Sequence, residues 1–161
     1  MLDVLAWLEA SALGHAMRNA GVWIYAVVNL IHLVGVAALF GSLLLLDLRL
    51  LGLWARVPVS AIAASAIPVS RVGFSIAAIS GLCLITSNAT EYNGNPFLLP
   101  KFIAIAIGLI NVVILHTLPA WTAMLAGMPR PHDARQLAVA AGVSLVCWSA
   151  AIACGRMLGY W

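Results

Sequence analysis

Apolar residues fill this chain in four long blocks, separated by short polar or proline-rich stretches. A helix needs about 20 mostly apolar residues to cross a bilayer. Residues 21–46 qualify without a single charge, and their polar interruptions are Asn29, His32 and Ser42. Residues 68–88, 100–128 and 136–157 form the other three blocks. The stretch 57–68, bracketed by Pro58 and Pro68, reads as a short helix at the membrane interface. Turn residues dominate 88–96, between the second and third blocks, and 124–131 closes the third block in a tight return. Over the first twenty residues, Leu2, Leu5, Leu8, Ala12 and His15 recur at helical spacing, with Asp3, Glu9 and Arg18 between them. That pattern predicts an amphipathic helix lying on the membrane surface. Its acidic front, with no short apolar core leading to a cleavage site, distinguishes it from a secretory signal. The expected fold is all-α: a four-transmembrane-helix bundle over residues 1–161, one integral membrane domain with a surface helix at 1–20.

Composition sharpens this reading. Of 161 residues, 64% are hydrophobic and 8% charged, and the mean hydropathy is +1.07. A soluble domain carries about 25% charged residues. A soluble enzyme, a disordered chain and a nucleic-acid binder are therefore excluded, and the lipid bilayer is the first partner. Arg49, Arg56, Arg71, Arg130 and Arg135 fall in the loops after the first and third blocks; Arg18, Lys101 and Arg156 fall on the other side. The excess places those two loops in the cytoplasm of a bacterial inner membrane and both termini in the periplasm. Cys83, Cys147 and Cys154 lie in apolar runs without a Cys-x-x-Cys pair, and read as small membrane-core residues.

Candidate chemistry centres on two histidines. Ionisable groups at membrane depth are costly and usually mark function. His32 and His116 lie on the first and third spans, which run in the same direction. Counted at about 1.5 Å per residue, both fall near mid-membrane. Two imidazoles at matching depth suit the axial positions of one haem b. Gly35 and Gly108, near them in sequence, either clear space for a porphyrin or let helices pack closely. Lys101 and Arg156, at span ends on one face, are candidate partners for its propionates, or simple membrane anchors. The competing reading is an interhelical hydrogen-bonded pair or a proton relay, with Asn29 and Asn111 as candidate partners.

Copper is the alternative metal, held by His15 and Met17 or by Met124, Met128 and His132. His132 beside Asp133 otherwise reads as a helix start. Asp47 reads as an interfacial anchor paired with Arg49 or Arg71. Trp7, Trp23, Trp54, Trp121, Trp148 and Trp161 read largely as an interfacial belt. There is no Ser-His-Asp set, Gly-rich phosphate loop or carboxylate pair, so any activity must come from a cofactor.

His32-Leu-Val-Gly35, Gly41, Asp47-Leu-Arg-Leu-Leu-Gly52, Asn95-Pro-Phe97, Lys101, Asn111, His116, Trp148 and Gly155-Arg156 span most of the chain. In these residues it resembles a bacterial family of small four-helix membrane proteins catalogued without a function. More loosely it is similar to membrane domains of CopD-like copper-resistance proteins and of b-type cytochromes. That looser likeness implies haem or copper, although the chain lacks the paired-histidine helices of the larger cytochromes. The expectation is a one-haem cytochrome with His32 and His116 as ligands, at most a redox subunit. It passes electrons between quinone and a periplasmic redox protein, within a homo- or hetero-oligomer or larger complex. Its rivals are a copper-handling protein and a cofactor-free scaffold subunit.

Overall fold

The computed structural model describes residues 2–160, so Trp161 of the expected aromatic belt lies outside the described residues. Seven α-helices follow one another among the described residues: α1 (Leu2–Glu9), α2 (Ala12–Asn19), α3 (Gly21–Leu50), α4 (Val59–Ser87), α5 (Leu98–Thr117), α6 (Pro119–Leu125) and α7 (Pro131–Met157). A 3₁₀ turn, Ala89–Tyr92, follows α4. No strand forms among the described residues. Helices α3, α4, α5 and α7 are each long and apolar enough to span a bilayer. The buried share of their most apolar stretch runs only from 17% in α3 to 39% in α7. Most of each span thus presents apolar side chains outward, a surface that lipid solvates and water does not. The chain is an all-helical, multi-pass membrane protein.

Two compact units are distinguished. The first takes the chain up to Leu39 together with Arg71–Asn95; the second takes Phe40–Ser70 together with the chain from Pro96 onward. In the first unit the 35–39 stretch of α3 lies directly on α4, where a Cβ built on Gly73 would sit 2.5 Å from the Leu39 nitrogen. In the second, α5 and α7 run antiparallel: Lys101 lies by Gly155, Gly108 by Trp148, and Asn111 by Ala140. A buried cluster including Leu46, Leu50, Leu115, Trp121, Leu137 and Ala141 forms this unit's core.

Helix boundaries differ from the periodicity reading at several points, with α3 running on to Leu50 and α7 starting already at Pro131. The expected third span to residue 128 stops at Thr117. Pro119 has no N–H to continue the helix, and it drives Leu118 into an extended conformation, φ −71° and ψ 130°. The short helix α6 then carries Ala120 and Trp121 into the second unit's core. The 57–68 stretch is no separate interface helix, because α4 starts at Val59 and runs straight through Pro68. The N-terminal surface helix is two helices. Ser11 breaks it, its side chain accepting from the Gly14 amide as an N-cap.

A polar latch secures α1 and α2 within the first unit. Thr90 donates from its hydroxyl and its amide to Glu9 Oε2 at 2.6 and 2.7 Å. Arg18 donates to the Glu9 and Ser87 carbonyls and pairs with Glu9 Oε1 at 3.4 Å. The Thr90 hydroxyl first, then its amide and the Arg18 charge, hold the Glu9 carboxyl below its ordinary range. A depressed carboxylate stabilises the latch above its unfolded value, and that stability is lost as pH falls through the lowered folded value. The protection factor of the Thr90 amide, its exchange measured against the intrinsic rate at each pH, should therefore fall on acidification. In Glu9→Gln it should be low already at neutral pH, with little further change on acidification.

Candidate functional site

Polar atoms inside a span have no water to bond, so their partners define their chemical state. His32 is half-buried on α3. Its Nδ1 lies 2.9 Å from the Ala77 carbonyl oxygen and 3.1 Å from Ser80 Oγ on α4. A carbonyl only accepts, so Nδ1 carries a hydrogen and donates it. The Ser80 hydroxyl spends its own hydrogen on the Ile76 carbonyl at 2.5 Å, which leaves its oxygen to accept from the imidazole. Gly81 makes room for the ring, since a Cβ there would stand 3.0 Å from His32 Cε1.

His116 also donates from Nδ1, within its own helix. Its Nδ1 lies 2.8 Å from the Val112 carbonyl one turn back on α5. The ring is exposed and packs on Trp121, centroids 5.5 Å apart and tilted by 55°. With α5 ending at Thr117, His116 occupies its last turn, about 27 Å along the axis from Leu98. The mid-span position expected from a helix running to 128 is corrected accordingly. His32 belongs to the first unit and His116 to the second.

The space at both expected glycines is taken by protein. A Cβ on Gly35 would lie 2.8 Å from the Ala77 nitrogen, so α3 and α4 meet there backbone to backbone. A Cβ on Gly108 would lie 3.3 Å from the Trp148 indole. Lys101 rests its Cε and Nζ against Gly155, which brings it to the end of α7 that carries Arg156. Arg156 itself donates to the Tyr160 hydroxyl and stacks over that ring, 4.7 Å from its centroid. Asn111 donates to the Ala140 carbonyl at 2.9 Å, tying α5 to α7, and Asn29 is exposed.

In the alternative copper sets, His132 Nε2 sits 3.0 Å from Asp133 Oδ1. Asp133 Oδ2 accepts the Arg130 amide at 2.8 Å, so this pair forms the start of α7, as expected. His15 lies 3.3 Å from an Arg18 nitrogen. Among the described residues, no three His, Cys, Asp or Glu side chains gather as a metal-binding group.

Asp47 is the residue the periodicity reading undervalued. Arg49 is not its partner: that guanidinium donates to the Val57 and Ala55 carbonyls at 2.6 and 3.1 Å. Asp47 is only 3% exposed, with the Ser144 hydroxyl of α7 as its hydrogen-bond partner. Its Oδ2 is buried without a hydrogen bond. The signal was present in the spacing. Residues two apart on a helix point to different faces, so Asp47 and Arg49 diverge. Leu43 and Leu50, four residues before and three after Asp47, are both buried and mark its face as inward.

The glycine contacts give a comparative prediction. Gly35→Ala drives a methyl into backbone, which should cost about 1–3 kcal/mol of stability, as overpacking does. Gly108→Ala meets a side chain at 3.3 Å and should cost less. Thermal unfolding of the two variants in detergent checks the order.

The family model for a family of unknown function, DUF6644, matches residues 4–161. Comparison with curated proteins and with solved structures returns no match. The looser likeness to CopD-like and cytochrome membrane domains thus gains no relative, while the likeness to an uncharacterised family does. A match across nearly the whole length, over a four-span helical chain, makes this protein a member of the DUF6644 family.

Proposed function

We propose that this protein is a b-type cytochrome of the bacterial inner membrane, with His32 and His116 as the residues that would hold haem. The supporting observation is the shared Nδ1 bond. Each imidazole donates from Nδ1 to a backbone carbonyl, Ala77 for His32 and Val112 for His116. Ligating histidines characteristically bond their other nitrogen in this way, which orients the ring and raises its basicity. Haem would supply one-electron transfer, which no side chain here provides. The chain's own residues do the rest. Ser80 and Ala77 hold the His32 ring in one orientation. Trp121 packs against His116, while Lys101 and Arg156 stand at the other end of α5, about 22 Å along the axis, too far to meet the propionates of a haem held there. Electron exchange between quinone in the bilayer and a periplasmic redox partner follows from this reading, with both termini periplasmic.

A second reading, a cofactor-free scaffold subunit, draws on the glycines. Gly35 and Gly108 serve close protein packing, and His32 acts as a polar staple between α3 and α4.

An absorption spectrum of the detergent-purified protein, before and after dithionite, separates the two. The cytochrome reading expects a Soret band that sharpens on reduction, with split visible bands. His32→Ala or His116→Ala should abolish that six-coordinate spectrum. A flat spectrum from protein made with ample haem supports the scaffold. Metal analysis of the same sample reports copper directly.

A further inference from the structure

The Asp47 carboxyl is the buried ionisable group that the haem reading does not use. It stands one helical turn before the end of α3, and both it and Ser144 are covered, at 3% and 4% exposure. The residues one turn away on the same faces are apolar and buried: Leu43 and Leu50 on α3, Ala140 and Ala141 on α7. Among the described residues, no Lys, Arg or His nitrogen forms an ion pair with it.

Each nearby titratable group has its own place in the second unit. Arg49 is bonded to the 51–58 loop, and Lys101 lies against Gly155. His116 bonds Val112, and Asp133 is held by the Arg130 amide and His132. Arg156 bonds Tyr160, and Cys147 is a buried free thiol on α7. The α4 stretch of this unit, residues 59–70, and α6 contain no titratable side chain.

A bare carboxylate withdrawn from water without a cation is strongly disfavoured. The ligand that resolves this must reach an oxygen with no accessible surface. A second protein chain cannot, and a hard metal cation requires about six oxygen ligands where Asp47 and Ser144 provide too few. A proton meets both conditions. Serine is the appropriate partner, because its hydroxyl rotates. It accepts from the protonated acid and donates to the carboxylate, whereas Arg or Lys would hold the group ionised.

We propose that Asp47 and Ser144 form a proton-binding site inside the second unit, with the Asp47 carboxyl as the group that takes up and releases the proton. Exchange occurs with the membrane face where the exposed 51–57 loop leaves α3, about 4.5 Å along the axis from Asp47. The site is independent of whether His32 and His116 hold haem.

Infrared spectroscopy of the full chain in liposomes, in H₂O and D₂O across a pH series, tests this. At neutral pH the protein should show the carbonyl stretch of a protonated carboxylic acid. That band should shift in D₂O, disappear reversibly at alkaline pH, and be absent from Asp47→Asn. Ser144→Ala should retain it at higher frequency, since a hydrogen bond is lost, and this variant decides the matter should Asp47→Asn fail to fold. The proposal is overturned if wild-type protein lacks the band, if Asp47→Asn retains it, if Ser144→Ala leaves its frequency unchanged, or if it responds to neither D₂O nor pH.

Discussion

Lipid offers no hydrogen bonds, and that constraint organises the whole chain. Every polar group within a span must find its partner in the protein. Along α4 the hydroxyls of Ser70, Ser75, Ser80, Thr86 and Ser87 each return to a carbonyl three or four residues back. Asn111 crosses from α5 to α7, and both intramembrane histidines bond carbonyls. Asp47 stands apart, with one carboxyl oxygen buried and unbonded. A polar group satisfied locally is quiet, while one left incomplete has capacity for a ligand or a proton. The histidines, complete at Nδ1, and Asp47, incomplete at Oδ2, are therefore where chemistry is expected.

The segment Asp47-Leu-Arg-Leu-Leu-Gly52 combines folding and chemistry in six residues. Gly52 adopts φ +104°, its amide bonds the Arg49 carbonyl, and the Leu53 amide bonds the Leu48 carbonyl. This is a Schellman ending, which needs a left-handed residue that glycine supplies without strain. Arg49 then fastens the emerging loop through two carbonyls. Leu50 fills the core, and Asp47 is carried inward on the same face. The helix end thus fixes the depth at which the carboxyl sits.

Much of the fold was legible because hydropathy over twenty residues outweighs local detail. The four spans and the all-helical class follow from that sum alone. Boundaries were less legible where proline acts in two ways. Pro119 ends α5 by pushing Leu118 out of the helical region, whereas α4 carries Pro68 in its interior. Within the candidate site, the importance of His32 and His116 was readable from their cost in a membrane, but their hydrogen-bond partners were not. Ala77 and Ser80 lie some 45 residues from His32. Gly108 illustrates the same limit, since only the fold reveals that Trp148 covers it. Asp47 was readable in principle from the buried leucines that share its face.

The central claim is chemical: the imidazoles of His32 and His116 both carry hydrogen on Nδ1, donated to a backbone carbonyl. Nitrogen NMR of protein labelled with ¹⁵N at histidine, assigned through His32→Gln and His116→Gln, measures this directly. The account predicts a protonated Nδ1 at both sites. A proton on Nε2 with a bare Nδ1 at either site would contradict it.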